Sequence, residues 1–579
     1  MWWKEGVIYQ IYPRSFKDSN GDGIGDIRGI IEKLDYLNDG TPNSLGVDAI
    51  WISPFFRSPM KDFGYDISDY RDIDPMFGTL EDFKLLLEEA HRRGIHVIID
   101  MVLNHTSDEH PWFIESRQSK DNEKADWYIW NPGKNGKKPN NWFAQFELKS
   151  AWWYEPKRGE FYLGTFTRHQ PELNWRNVEL RNEMFGLARY WLDMGVDGFR
   201  LDVINWFIKD DEFRSNPYSI KSLDFQEHIY DRNRPETIDI CRDLRKITDE
   251  YSERMMVGEV FTDSAKVASE YYGSGSDALH MAFNFNFLFQ PWSSRKIYHS
   301  IMEWYDHLQG DAWPNFTFSN HDNLRHSLRY KKGSETLDRC RVAAALLLTL
   351  RGTPFIYYGE EIGMTGGKIK RNELKDPLSK KTWPLKRFCR DLARTPMQWD
   401  ISINSGFSYG EPWLPVDKGY MDNNVEIQDI TRNSLLKFYK GLIWYRKKHS
   451  SITRGNIQFF DKYCDRALVF TRESDDERLL IMLNFSNSST NIRLTDILDK
   501  DAQDNRISER YISSKGVISD LINAEVLQTT VSFATHKPEN TKITHDIVKL
   551  EPYEILIVEV GNKNIKDSQL TAAIGKLDN

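Results

Sequence analysis

Short runs of β-branched and aromatic residues recur along the chain. They are VIYQIYP from Val7, VDAIWISPF from Val47, HVIIDMVLN from His96, VDGFRLDVI from Val196, MMVGEVF from Met255, LHMAFNF from Leu279, FTFSNHD from Phe316 and PFIYYGEE from Pro354. Such runs predict strands. Between them, LEDFKLLLEEAHRRG and VELRNEMFGLARYWLDMG carry apolar residues at helical spacing and stop at Gly94 and Gly195. Eight strands alternating with helices predict an α/β fold of the closed (β/α)8 barrel type.

One gap is too long for a helix alone. Residues 105–174, rich in Trp, Asn, Gly, Lys and Pro, predict an inserted subdomain after the third strand. It leaves the barrel at the face where such folds place their active sites. A second polar insertion, 365–400, follows the eighth strand on that face. After LLKFYKGLIWYRKKHS the pattern turns to alternating strands such as RALVFTR, RLLIMLNFS and EILIVEV. The predicted division is a barrel over 1–104 and 175–455 and a C-terminal all-β sandwich over 456–579, with a frayed tail after Val560.

Composition narrows the function classes. The net charge of −9 argues against a nucleic-acid partner. Aromatic residues make up 13% of the chain, including 19 Trp, which suits either a large core or a sugar-binding cleft. Cys241, Cys340, Cys389 and Cys464 are scattered and suggest neither a disulfide framework nor a zinc site. The apolar run VAAALLLTL is too short to span a bilayer. No secretory pattern is visible at the N-terminus, so a reducing cytoplasm is the expected compartment.

Carboxyl groups fall at the ends of three predicted strands: Asp202 in GFRLD, Glu259 in GEVF and Asp322 in SNHDN. Glycoside hydrolysis needs two such groups, one to protonate the leaving oxygen and one to attack or activate water. Arg200 stands two residues before Asp202, so both should face one way, with the cation keeping Asp202 ionised. His321 directly precedes Asp322.

The ordered motifs DMVLNH, GFRLD, GEVF and SNHD resemble the α-amylase superfamily of retaining glycoside hydrolases, over nearly the whole chain from Val7 to about Val560. The resemblance implies Asp202 as nucleophile, Glu259 as general acid/base and Asp322 as a residue gripping the sugar hydroxyls. It places His105, Arg200 and His321 in the same subsite. Asp62 and Tyr65 match residues that hold the non-reducing glucose, and Arg390, with Arg394 nearby, one that closes the pocket. The opening GVIYQIYPRSFKDSNGDGIGD, with FGYDISDY, QPELNW and RTPMQWD, is most similar to α-glucosidases and oligo-1,6-glucosidases. The implied substrates are short oligosaccharides, cut at terminal α-linked glucose. Val203, after the nucleophile, goes in this family with α-1,6 cleavage of isomaltose-type substrates.

In DSNGDGIGD, oxygen ligands alternate at Asp18, Asn20 and Asp22, Gly23 allows a tight turn, and Asp26 follows. That pattern suits a hard cation, Ca²⁺ or Mg²⁺. The resemblance implies structural Ca²⁺ here, with Ile24 giving a backbone carbonyl. Gly29 stands where an EF-hand needs Glu, so the loop is not of that type.

Other readings stay open: a broad α-1,4 or sucrose-active or transglycosylating α-glucosidase, a trehalose-6-phosphate hydrolase reading phosphate through Lys368, Lys370, Lys380 and Lys381, and a non-catalytic binding relative. A membrane partner is not expected.

Overall fold

The computed structural model describes residues 1–579 apart from 221, 223, 263, 496, 498–529, 544 and 561–579. The expected tail after Val560 therefore lies outside the described residues. All eight predicted strands form: β1 Ile8–Ile11, β2 Ala49–Ile52, β3 His96–Met101, β4 Gly198–Leu201, β5 Met255–Gly258, β6 Met281–Ala282, β7 Asn315–Thr317 and β8 Thr353–Tyr357. They make one parallel sheet in the order β6-β5-β4-β3-β2-β1-β8-β7. Its two end strands meet through a side chain: the Asn315 amide donates to the Ala282 carbonyl at 2.8 Å. β6 is shorter than its apolar run suggests because Asn284 caps the next helix, Phe285–Leu288, by accepting from Phe287 N.

The helices begin and end as their sequences dictate. α1, Leu80–Arg92, starts in a reciprocal capping box between Thr79 and Asp82. Gly94, at φ 69°, then takes the left-handed turn that ends it. α2, Val178–Asp193, is capped by Asn177, whose side chain accepts from Leu180 N at 3.0 Å. Inside the barrel, Ile8, Ala49, Trp51, Ile98, Met255, Val257, Met281 and Phe355 pack into one apolar cluster.

Short strands occupy the insertion after β3. Trp130–Asn131, Trp152–Glu155 and Glu160–Leu163 form one antiparallel sheet, and Phe143–Ala144 with Lys149–Ser150 another. The 365–400 segment holds the helix Pro377–Thr382 and several single turns. By contacts the chain divides into two compact units: 1–289 with 304–329 and 353–440, and 290–303 with 330–352 and 441–579. In the second unit a five-stranded antiparallel sheet and a two-stranded one bury a shared apolar core that includes Val469, Met482, Ile492, Val548 and Leu556. No described helix is long and apolar enough to cross a membrane.

Candidate active site

Parallel register sets the floor of the site. Arg200 on β4 stands beside Asp100 on β3, and both face inward. Beyond the strand ends the backbone stays paired: Asp202 N donates to Met101 O at 3.1 Å, Glu259 N to Leu201 O at 2.8 Å, and Ile204 N to Glu259 O at 3.1 Å. These bonds fix where both carboxyl-bearing residues leave the barrel.

The Arg200 guanidinium gathers three carboxylates. Its Nη1 donates to Asp100 and Asp202, each at 2.7 Å, and its Nη2 to Glu259. The Asp202 and Glu259 carboxyls also approach each other closely enough to share a hydrogen bond. Arg200 favours the ionised form of Asp202, but it does not act alone. Burial raises the Asp202 pKa, and Glu259 and Asp100 add to it, outweighing Arg200. Burial likewise raises Glu259. The two carboxyls together therefore retain a proton more readily than isolated acids would.

Asp322 has the opposite balance. Burial pushes it upward, but His321, Arg390 and Arg394 outweigh burial and hold it well below the usual carboxylate range. Its side chain is 30% exposed, whereas Asp202 and Glu259 are 5% and 6% exposed as residues. Asp322 Oδ1 accepts from Arg394 at 2.7 Å and from Arg390 at 3.1 Å. Both arginines thus reach the site. Arg390 also donates to Asp62 at 2.9 Å, and Asp376 holds it from behind.

Two histidines are placed by Tyr65. Its hydroxyl donates to Asp100 at 3.0 Å and lies 2.7 Å from His321 Nε2. With the Gln10 amide assigned as donor to His321 Nδ1 at 2.9 Å, the ring proton sits on Nε2, facing Tyr65 and Asp322. His105 Nε2 donates to the Tyr65 carbonyl at 3.0 Å. Burial lowers the His105 pKa to about 3, so its ring is neutral.

Val203 lies just past β4 in a left-handed conformation, φ 35° and ψ 44°, which is uncommon for a β-branched residue. It packs with Phe166 and Trp206, against Phe146. Sequence reading missed Asp100, Gln170, Asp376, Phe146 and Phe166. Asp100 looks like one more core position in HVIIDM, and the others lie in aperiodic insertions; Gln170 donates to Asp62 at 3.1 Å.

The oxygen-rich loop folds around its own backbone. Asp18, fully buried, accepts from Asn20 N, Gly21 N and Gly23 N at 2.7–2.9 Å and from the Ser408 hydroxyl at 2.5 Å. Asp26 accepts from Ser19 and Gly29, while Asn20 and Asp22 accept from Asp22 N and Ile24 N. Gly23, at φ 88°, packs so tightly that a Cβ would lie 1.8 Å from the Glu411 carbonyl. Among the described residues, no three His, Cys, Asp or Glu side chains are gathered as a metal cluster.

Residues 10–455 match the alpha-amylase catalytic domain, and the chain belongs to that family of glycoside hydrolases. An oligo-1,6-glucosidase from Parageobacillus thermoglucosidasius is 42% identical over 530 residues, covering 86% of this chain and 92% of the relative. A probable alpha-glucosidase from Rhizobium meliloti is 42% identical over 505 residues, covering 84% and 90%. Among solved structures, the alpha-glucosyl transfer enzyme XgtA is 35% identical with a TM-score of 0.85, covering 97% of this chain and 99% of that one. The trehalulose synthase MutB from Pseudomonas mesoacidophila is 31% identical with a TM-score of 0.83, covering 97% and 100%.

Proposed function

We propose that the chain is an exo-acting, retaining α-glucosidase that removes terminal α-linked glucose from short oligosaccharides, isomaltose-type α-1,6 linkages included. The observation that carries this reading is Arg200 holding Asp202 and Glu259 side by side. In the first step Asp202 attacks the anomeric carbon while Glu259 gives its proton to the leaving oxygen. In the second, Glu259 takes a proton from water, which attacks that carbon and releases Asp202. A pair that retains one proton is suited to begin this cycle, with the proton on Glu259 and Asp202 bare. Asp322, held anionic, accepts hydrogen bonds from sugar hydroxyls. His105, neutral and bonded to the Tyr65 carbonyl, lines the same subsite with His321, and Asp62 and Arg390 close on the non-reducing end.

The phosphate-reading alternative is less well supported. Lys381 is engaged by Glu147 and the Phe146 carbonyl, and Lys370 by Glu373. A transferring enzyme remains the second reading, favoured by the apolar flank of Phe146, Phe166, Val203 and Trp206, which disfavours water as acceptor.

Asp18, Asn20, Asp22, Asp26 and the Ile24 carbonyl would hold Ca²⁺ as a structural ion. Their chemistry fits: all five offer oxygen, and three are carboxylates. Such an ion would tie the loop to the Ser408–Glu411 segment and take no part in the reaction.

Product analysis on isomaltose, maltose, sucrose, trehalose and a long dextrin tests the substrate class. Magnetic resonance of the first-formed sugar should show the α-anomer, whereas a β-anomer overturns retention. Asp202→Ala should lose about 10⁴-fold or more in turnover. Azide should restore part of it and yield the β-glucosyl azide.

A further inference from the structure

Two insertions enter this site, and they also grip each other at its edge. Lys381 lies on the helix Pro377–Thr382. Its ammonium donates to the Phe146 carbonyl at 3.1 Å and to Glu147 Oε2 at 2.7 Å, both in the insertion after β3. The Glu147 side chain is only 18% exposed. Burial pushes Glu147 upward, but Lys381 and Lys149 outweigh it, and the carboxylate stays ionised. Lys149, 3.6 Å from Glu147, belongs to the same short segment and cannot join the two insertions.

The bond to the Phe146 carbonyl holds the backbone that carries the Phe146 ring, which lies between Arg390 and Phe166. The Arg390 guanidinium lies 4.1 Å from the Phe146 centroid. On another side the ring meets Phe166 at 5.6 Å, and Phe166 packs on Val203. Under the reading proposed above, Asp62 and Arg390 face the non-reducing end of the bound glucose. Any group attached to that end would have to continue past Arg390 and Phe146, where the two insertions are joined.

We propose that Lys381 and Glu147 form a latch that makes the pocket blind beyond the terminal glucose, and so determine that the enzyme cuts chain ends rather than internal bonds. Lys381 is a positioning residue: it acts through Phe146 and touches no substrate.

The test compares 4-nitrophenyl α-glucoside with its 4-O-methyl and 6-O-methyl ethers, which carry a small group at the non-reducing end. The wild type should discriminate strongly in kcat/KM. Lys381→Ala should relax that discrimination about two- to fivefold, the range a partly exposed ion pair supports, and leave the unmodified substrate within about twofold. Lys381→Arg, which keeps both bonds, should retain the wild-type ratio. An unchanged ratio in Lys381→Ala, or equal relaxation in Lys381→Arg, overturns the latch. Calorimetric titration with methyl α-glucoside and its methylated ethers, on forms that also carry Asp202→Ala, compares binding of the blocked and unblocked sugars without turnover. Loss of the proposed function, with no glucoside cleaved by any form, is thereby kept distinct from failure of the latch.

Discussion

Asp62 and Arg390, 328 residues apart in the chain, meet at 2.9 Å on the barrel's C-terminal face. One leaves the loop after β2 and the other the insertion after β8. Their pairing closes a site whose remaining acids are brought there by β3, β4, β5 and β7. Buried carboxyls outnumber the guanidinium groups among them, and the protonation of this cluster decides the first prediction.

The profile of kcat/KM against pH should be bell-shaped, with both limbs above the values of free carboxylic acids. Asp202 must be deprotonated to attack, so activity falls as pH drops through its raised pKa. Glu259 must hold its proton, so activity falls as pH rises through its own. The two limbs report the pair as a unit. Glu259→Gln, assayed on an activated aryl glucoside, should remove the alkaline limb. Its persistence in that variant would assign the acid elsewhere.

Acid should destabilise the fold partly through buried neutral histidines. Burial lowers both His105 and His110 to about 3. Unfolded histidine binds its proton near pH 6.5, so the stability due to each is present above that pH and is lost as pH falls toward 3. Glu361 and Asp66, raised by burial to about 7 and about 6, act in the opposite sense, costing stability as pH rises from about 4. The informative quantity is therefore a difference between proteins. His110 caps the helix Pro111–Ser116, and asparagine can serve there too. His110→Asn should flatten the loss between pH 6 and 4 by up to about 1.4 kcal/mol per pH unit. Denaturant titrations across that range read it, and parallel wild-type and variant curves would refute it.

Chelation should lower the Tm while kcat at low temperature stays unchanged. At a free concentration of 100 times Kd, a bound ion adds about 2.7 kcal/mol. Asp22→Ala should abolish the dependence of Tm on added Ca²⁺. A wild-type Tm indifferent to both chelator and calcium would remove the ion from this loop.

Val203→Thr should move the ratio of efficiencies from isomaltose toward maltose by up to about tenfold, the scale of a single group in a pocket. Threonine keeps the branched shape that the left-handed backbone already tolerates, but its hydroxyl, placed among Phe166 and Trp206, should cost about 1–3 kcal/mol of stability. A variant with an unaltered ratio assigns linkage preference to other residues.

The strands were legible because each buries a compact β-branched or aromatic run, and Asp202, Glu259 and Asp322 because they end such runs. Asp100 opens the motif DMVLNH, yet an inward-facing acid inside HVIIDM has the same neighbours as a core residue, and its place in the site shows only in its register against Arg200. Phe146, Gln170 and Asp376 come from insertions without a repeating pattern, so their approach to the site depends on tertiary packing. The balance of effects on Asp202 is hidden for a related reason. Sequence shows the neighbouring cation two residues away, but not the burial and the acids from β3 and β5 that outweigh it.

The side-chain closure between β6 and β7 leaves the ladder around the barrel uneven. β4, which leads to Asp202, is laddered through four residue pairs on each side. β5, which leads to Glu259, shares four pairs with β4 but two with β6, whose far edge is joined to β7 by the Asn315 amide. In the proposed reaction the nucleophile returns to one anomeric carbon twice. The acid must serve a departing sugar oxygen and then an arriving water, which need not occupy one point. The strand ladder is thus fuller behind the group that must repeat its position than behind the one that must change partners.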